Sequence, residues 1–289
     1  MSQPRRRTAG RVLAVALGLL ALAACAKSAK RPDVTAGAPG TPVDSVTVAL
    51  WRMDETGGTR AADAGPSRLD ATAGPDTRTI FGRFRGARSF ANSANSFLFV
   101  PYSPLLDPQE AFTVEAWIAP NSYGVMAAPI AVRWVPATDD RSWAFALAGI
   151  GAPASPPRPD WLQGVIQGSR LAFGFQPEAA GSPRTFYSLS AIELQRWTHV
   201  AVTFDGQVVR FFVNGQPDGA FATSGRIRAS RAPLLVGNYL DPRFLTDFGG
   251  DLRQGSAAGL ATGYAFDGGI DELRISSAAR TQFPLHGGR

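Results

Sequence analysis

The sequence predicts an all-β fold made of two packed antiparallel sheets, and three observations carry this prediction. Short apolar runs recur between clusters of Gly, Pro, Asn and Asp from Val46 onward, which is typical of strands joined by turns. Phe112–Ala119 alternates, with Phe and aliphatic residues on one face. Beyond the first 24 residues, no segment carries a long apolar repeat at helical spacing. One uninterrupted pattern of about 240 residues favours a single two-sheet domain.

Twelve segments are predicted as strands on apolar content and flanking turn residues. They are Val46–Met53, Ala87–Phe90, Phe97–Val100, Phe112–Ala119, Ser142–Leu147, Gly164–Ile166, Arg170–Phe175, Thr185–Leu189, Thr198–Phe204, Val208–Val213, Pro233–Val236 and Gly269–Ile275. Asn214-Gly215 supplies the two positive φ angles of a type I′ turn, so a tight hairpin is expected there. Leu189–Arg196 is predicted to form a short helical turn.

Composition and charge exclude several classes of protein. The 289 residues include 29 Lys plus Arg, 23 Asp plus Glu and one Cys, and the formal net charge is +6. A single Cys excludes an internal disulfide and a Cys-rich zinc module. Without residues 1–24 the chain keeps 25 basic and 23 acidic residues, a formal charge of +2. Because the excess positive charge lies mainly in this first segment, no nucleic-acid partner is expected.

Residues 1–24 predict a lipoprotein signal peptide. They contain four arginines and no acid, and the apolar stretch Val12–Ala24 is shorter than the 20 or so residues of a membrane-spanning helix. Leu22-Ala23-Ala24-Cys25 resembles the bacterial lipobox, whose Cys receives a diacylglycerol and, with further acylation such as palmitate, anchors the mature chain. The alternative is a free or buried Cys25. We therefore expect an extracytoplasmic protein, lipid-anchored to the cell membrane or outer membrane of a bacterium.

The next segment differs in composition from the rest of the chain. Residues 25–45 are small, polar and rich in Pro and Gly, which predicts a flexible linker. The alternative is an ordered irregular arm. Residues 46–289 are expected to form the folded domain.

Six segments resemble, in order, the landmarks of laminin G-like and concanavalin A-like domains in bacterial surface proteins. They are LWRMDETGG (50–58), FRGARSF (84–90), FTVEAWI (112–118), WTHVAVTFDG with FFVNG (197–215), LVGN (235–238) and FDGGIDELRI (266–275). The resemblance covers residues 48–280 and implies a jelly roll of two antiparallel sheets. It also implies a protein that binds carbohydrates or proteins, or accompanies an enzyme.

The resemblance further implies a structural calcium ion between the first and last strands. Asp54, Asp271 and Asn92 would supply some of the six to eight oxygen ligands that calcium needs. The alternative is that the acidic residues of these strands form ion pairs with Arg52, Arg88 or Arg274.

The sequence gives little support to catalysis, and no catalytic residue is predicted. Glycosidases on a related sandwich carry Glu-x-Asp-x-x-Glu because two carboxylates must flank the bond, whereas Glu115 stands alone. His199 lies within a strand-like run and is interpreted as structural. Trp51, Trp117 and Trp197 are interpreted as core residues, with a sugar-stacking surface as the alternative.

Loops are the expected place for a ligand, because binding residues concentrate on them. Three long loops are predicted, namely Pro120–Arg141, Gly149–Gln163 and Tyr239–Tyr264. Their aromatic residues are predicted to stack on a sugar, or alternatively to pin the loops to the sandwich, and they are Trp134, Trp161, Tyr239 and Tyr264.

The sequence thus predicts a membrane-anchored, non-catalytic binding module for carbohydrate or a protein partner. A structural or assembly lipoprotein of the envelope that binds another protein is the alternative. A polysaccharide-acting enzyme is the third hypothesis.

Overall fold

The computed structural model describes residues 40–107, 110–150, 158–248, 251–254 and 264–285. The predicted signal peptide, Cys25 and most of the predicted linker lie outside these residues, as do parts of two predicted loops (151–157, 249–250 and 255–263). Among the described residues, no helix has the length and apolar character needed to cross a membrane.

The described chain consists of short strands and three single-turn 3-10 helices. In chain order the strands are β1 Thr47–Trp51, β2 Arg60–Ala61, β3 Ala71–Ala73, β4 Arg78–Phe81, β5 Gly86–Phe90, β6 Leu98–Val100, β7 Phe112–Pro120, β8 Ala127–Val135, β9 Asp140–Ala148, β10 Arg170–Phe175, β11 Arg184–Ala191, β12 Thr198–Phe204, β13 Val208–Val213, β14 Gln216–Ala222, β15 Leu234–Val236, β16 Leu245–Phe248, β17 Asp251–Gln254 and β18 Gly268–Ser276. The 3-10 helices are Pro104–Leu106, Pro136–Thr138 and Pro242–Phe244.

Two sheets of eight strands make the sandwich, and all their pairings are antiparallel. The first sheet has the order β14-β13-β12-β7-β18-β5-β4, with β1 also paired to β18. The second has the order β11-β10-β9-β8-β15-β6-β3-β2, and β16 and β17 form a separate hairpin. Because β1 pairs with β18, the first and last strands are neighbours, as the resemblance implied. The fold is the predicted all-β two-sheet jelly roll.

The main core lies between the two sheets, where alternate side chains of each strand meet. Phe112 of the first sheet packs against Trp143 and Phe173 of the second, with ring centroids 5.7 and 5.8 Å apart. Trp51 is fully buried in the same cluster, and its indole Nε1 donates a hydrogen bond to the carbonyl of Leu69 at 2.8 Å. Trp51 is therefore a core residue, as predicted.

Most predicted strands are present. Three of them, β10, β12 and β13, begin and end at the predicted residues. Asn214 and Gly215 have φ angles of 48° and 72°, which confirms the type I′ turn. Two predictions of local structure are wrong. Residues 164–166 are irregular, and Leu189 belongs to β11, which is followed by a turn instead of a helix.

The packed region begins before the predicted boundary at Val46. Glu272 accepts a hydrogen bond from the amide of Thr41 at 2.8 Å, and Arg52 donates to the Thr41 carbonyl at 2.9 Å. Arg274 donates to the carbonyl of Pro42 at 2.5 Å. Residues 40–45, assigned from composition to the linker, therefore lie against the sandwich, in agreement with the alternative of an ordered arm for this part.

Candidate functional site

The outer face of the second sheet forms a trough of small side chains. Along β9, Phe145 and Leu147 enter the core between the sheets, so Ala144 and Ala146 face outward. Ala172 of β10 belongs to the same outward cluster. Because alanine leaves space beside the strands, a chain segment can pack directly onto this face.

Residues 159–163 fill that space. The Trp161 side chain is fully buried against the alanines. Thr185 Oγ1 donates to the carbonyl of Trp161 and accepts from the amide of Gln163, both at 2.7 Å. A Cβ atom at Gly174 would lie 2.3 Å from the Trp161 carbonyl oxygen, so only glycine permits this close approach.

The four aromatic residues predicted to bind a ligand meet on this face, although they are far apart in sequence. Trp134, Trp161 and Tyr239 pack in one cluster. The Trp161 and Tyr239 rings are edge-to-face at 6.1 Å, and the Tyr239 and Tyr264 rings at 5.4 Å. Trp134 Nε1 donates a hydrogen bond to Asp160 Oδ1 at 2.7 Å. We call Trp134, Trp161, Tyr239 and Tyr264 the outer aromatic cluster.

Both tyrosines of the cluster are neutral hydrogen-bonding groups. Burial raises the pKa of Tyr264 to about 12. Burial also raises the pKa of Tyr239, and the negative charge of Asp160 adds to this effect. The two phenols therefore keep their protons at physiological pH and can both donate and accept hydrogen bonds.

Charged side chains border the cluster on the solvent side. Arg141 Nε donates to Asp160 Oδ2 at 2.9 Å, and Arg141 also pairs with Asp139. Arg228 reaches the same Asp139 at 2.9 Å. We call Asp139, Arg141, Asp160 and Arg228 the charged rim. Asp160 was not predicted as a site residue. The signal in the sequence that could have identified it is that Asp160 directly precedes Trp161.

The cluster is more deeply buried than the sugar-stacking interpretation requires. Trp134 is 1% exposed and Trp161 0%, so neither indole offers a free face. The alternative interpretation, in which aromatic residues pin the loops to the sandwich, describes both tryptophans. Tyr264 is buried as well, so Tyr239, which is half-buried, is the one residue of the cluster with a partly exposed side chain.

The prediction of a long loop over Pro120–Arg141 is wrong, because strand β8 occupies Ala127–Val135. Trp134 lies within this strand. Every residue of β8 is buried, so the strand lacks the alternation by which half-buried strands are found in a sequence.

The structure brings Asp54 and Asp271 together around one turn and leaves Asn92 apart. Asp271 Oδ2 accepts from the amide of Phe84 at 2.9 Å, and Asp54 Oδ1 accepts from the amide of Gly86 at 3.0 Å. Asn92 is exposed beyond the end of β5 and does not join them. The assignment of Asn92 to a calcium site stays a prediction.

Asp271 is a buried carboxyl group with one oxygen, Oδ1, that lacks a hydrogen-bond partner among the described residues. Burial raises the pKa of Asp271 well above its ordinary range, and the negative charges of Glu272 and Asp54 raise it further. In the described part of the chain, no group of three or more His, Cys, Asp or Glu is arranged as a metal site. Any calcium ion would therefore need main-chain or water oxygens as well.

The predicted alternative of ion pairs applies to the neighbouring acids. Glu272 pairs with Arg52 at 3.2 Å, and Glu55 pairs with Arg88 at 3.3 Å. Asp271 has no such pair among the described residues, so ion pairing does not account for it.

Glu115 and His199, the residues considered for catalysis, are buried side by side. His199 Nε2 lies 3.0 Å from Glu115 Oε2, and Arg274 Nε donates to Glu115 Oε1 at 2.8 Å. Burial opposes ionisation of Glu115, but the hydrogen bond and charge of His199 and the charge of Arg274 outweigh it, so the pKa of Glu115 is below its ordinary value. Both carboxylate oxygens are engaged in this ion network, which supports a structural interpretation of His199.

The topology defines a jelly-roll domain of two packed antiparallel sheets. The chain belongs to the concanavalin A-like lectin/glucanases superfamily, because a laminin G-type family with that description matches residues 92–254, more than half of the chain. No curated protein matches the sequence.

Solved structures with the same fold are distant in sequence. Domain 4 of AbnA, a GH43 extracellular arabinanase from Geobacillus stearothermophilus solved with arabinotriose, has a TM-score of 0.54 at 17% identity, over 81% of this chain and 93% of that one. The binding domain of Paraclostridial mosquitocidal protein 1 has a TM-score of 0.54 at 12% identity, over 81% and 49%. Botulinum neurotoxin type C, whose cell uptake depends on two ganglioside molecules, has a TM-score of 0.52 at 10% identity, over 81% and 48%.

These similarities show the fold alone. The chain spans about half the length of the two toxin chains and nearly all of the arabinanase domain.

Proposed function

We propose that the protein is a lipid-anchored, extracytoplasmic binding module of a bacterial envelope that recognises carbohydrate or a protein partner without catalysis. The observation that carries the proposal is the convergence of Tyr239 with the charged rim above the buried tryptophans. The names of the similar structures support it, since they describe domains that bind arabinotriose or gangliosides.

Each part of this surface has a role in the proposed binding. Trp134 and Trp161 fix the surrounding segments, as Trp134 does through its hydrogen bond to Asp160. Tyr239 offers a partly exposed ring and a neutral hydroxyl group, while Asp160 and Arg141 offer charged acceptors and donors. Sugars are recognised by this combination of an aromatic surface and oriented polar groups.

We expect Tyr239→Ala to reduce glycan binding at least tenfold, because it removes the half-buried ring and its hydroxyl group. The measurement is a glycan array on the purified chain, followed by titration of the best sugar. Tyr102→Ala is the matched control, since Tyr102 is a partly exposed tyrosine outside the cluster. Equal affinity of the Tyr239 variant and wild type would contradict the proposed surface.

A specific observation favours the alternative, a structural or assembly lipoprotein that binds another protein. Edge strand β4 of the first sheet carries the exposed side chains of Ile80 and Phe81, and Phe81 is 83% exposed. Exposed apolar edge strands are templates for pairing with another chain. An empty glycan array together with a protein partner whose binding is lost on Phe81→Ala would favour this function.

The non-catalytic part of the proposal rests on Glu115 and His199. Both side chains are buried, and the Glu115 carboxylate is held by His199 Nε2 and Arg274, which supports a structural role for this pair. Turnover of any member of a polysaccharide panel would revive the third hypothesis, an enzyme.

We also propose that Asp54 and Asp271 hold a structural calcium ion. The ion would bind Asp54, which already lies 3.8 Å from Arg85, and would give Asp271 Oδ1 the partner that it lacks among the described residues. It would link the chain after β1 to β18, and so join the two ends of the domain.

We expect saturating calcium to raise the melting temperature by about 5–10 °C, as a ligand at 100 times its Kd stabilises by about 2.7 kcal/mol. The measurement is differential scanning calorimetry with calcium and with a chelator. Asp271→Asn is expected to abolish the shift, whereas Asp267→Asn, which alters a carboxylate bound to Asn121 and Ser122, should retain it. Identical melting curves with calcium and chelator would rule the site out.

A further inference from the structure

A polar pocket lies at the edge of the sandwich opposite the outer aromatic cluster. Its volume is about 360 Å³ and it is bounded by residues 57–59, 73–75 and 77–79, Arg88 and Asp251. In the second sheet, β15 and β6 separate the strands next to this pocket from β8, which carries Trp134. We call it the edge pocket. Its volume lies at the small end of the 300–1,000 Å³ that is usual for ligand sites, so it suits one or two sugar rings.

The wall of the edge pocket carries an excess of positive charge. Arg78 is exposed, and its guanidinium donates to the carbonyl of Pro75 at 3.3 Å. No carboxylate of the described chain lies within ion-pair distance of Arg78. The Asp251 carboxylate, by contrast, pairs with Arg253 at 3.0 Å and is neutralised.

A second guanidinium, that of Arg88, is fixed in the same wall. Its terminal nitrogens donate to the carbonyl of Gly58 at 2.9 Å and to Glu55 Oε2 at 3.3 Å. The side chain is 1% exposed, and Nε has no hydrogen-bond partner among the described residues. Glu55 balances the charge of Arg88, so the net charge of the wall comes from Arg78.

The rest of the lining consists of main chain, hydroxyl groups and the small apolar side chains of Ala73 and Pro75. A Cβ atom at Gly57 or Gly58 would meet no atom within 4 Å, so the turn leaves open space beside its peptide groups. Thr59 and Thr79 add hydroxyl groups, whereas the Thr77 hydroxyl is already bound to the main chain of Phe97. None of the described lining residues is aromatic. A neutral sugar would find no stacking surface here, so recognition in this pocket depends on charge and hydrogen bonds.

We propose that the edge pocket binds an anionic sugar of the hexuronic acid class. Arg78 pairs with its carboxylate, because a guanidinium presents two parallel donors to a carboxylate, and Thr59, Thr79 and the main chain bind its hydroxyl groups. This inference rests on the proposed carbohydrate-binding function for its class of ligand, but it uses a site separate from the outer aromatic cluster.

The test follows amide chemical shifts of the full chain, purified in detergent, during titration with D-galacturonic acid, D-galactose and sodium sulfate. Gly57, Gly58 and Gly74 report on the pocket because they line it. We expect saturable shifts of these amides with galacturonic acid, at least tenfold weaker binding to galactose, and a tenfold or greater loss in Arg78→Gln. Arg231→Gln is the matched control, since Arg231 is exposed outside the pocket.

Each other outcome overturns the inference. No saturable shift would exclude the site, and equal binding of galactose would remove the role of the carboxylate. Equal binding of sulfate would leave a site for small anions only. Loss of glycan-array binding in Tyr239→Ala together with no shift at Gly57 and Gly58 would refute the edge pocket while leaving the proposed function intact.

Discussion

Glu115→Gln is expected to lower the free energy of unfolding by about 3–5 kcal/mol, because it leaves buried charge without its partner. Glu115 is 3% exposed, and its two oxygens hold His199 and Arg274 from two different strands of the first sheet. Gln has the same shape but no charge, so the Arg274 guanidinium would stay buried and lose its counter-ion. The network of Glu115, His199 and Arg274 joins three strands, β7, β12 and β18, so its loss affects all three.

Urea unfolding followed by tryptophan fluorescence measures this change. Glu193→Gln is the matched control, because Glu193 pairs with Arg196 on the surface, where both side chains are more than 60% exposed. Exposed pairs contribute about 0–1 kcal/mol, so the control should be close to wild type. Similar effects of the two substitutions would show that the buried network does not stabilise the fold.

The same network predicts the direction of the pH dependence. The pKa of Glu115 is lowered in the folded protein from its ordinary value of 4.5. Its stabilising contribution is therefore complete above pH 4.5 and is lost as the pH falls through the lowered value. The difference in stability between wild type and Glu115→Gln should accordingly shrink in acid.

Cys25→Ser is expected to abolish membrane anchoring completely, because the proposed lipid attachment uses the Cys sulfur, which Ser lacks. Cell fractionation should find the wild-type chain with the membranes and the variant in the soluble extracytoplasmic fraction. Mass spectrometry of the mature N-terminus should detect the diacylglycerol on Cys25 of the wild type.

Ser28→Ala, a small substitution three residues away, should keep both the lipid and the membrane association. Membrane association of Cys25→Ser, or a mature wild-type chain without lipid, would contradict the proposed anchor.

Local patterns in the sequence determined much of the sandwich. The half-buried strand β13 was predictable, because an antiparallel sheet with a core on one face imposes a period of two. Asn214-Gly215 was predictable because few residues adopt two consecutive positive φ angles. The core position of Trp51 followed from its place in a strand and was confirmed by its complete burial.

Several features depended on contacts between distant parts of the chain. Trp134 and Trp161 were predicted to lie in loops. Both are buried, because the small alanine side chains of β9 and β10 leave space for them. Thr41 was predicted to belong to the linker. In the structure its amide donates to Glu272 and its carbonyl accepts from Arg52.

The sequence alone determined the class of fold and a candidate anchor at Cys25, because strand periodicity, turn chemistry and a signal peptide are local properties. Only the tertiary structure decided that Asp271 lacks a partner among the described residues, that Trp134 and Trp161 are covered and that Arg78 borders a pocket. Burial and pairing of these side chains depend on which strands become neighbours, and that arrangement is set by the packing of the whole sandwich.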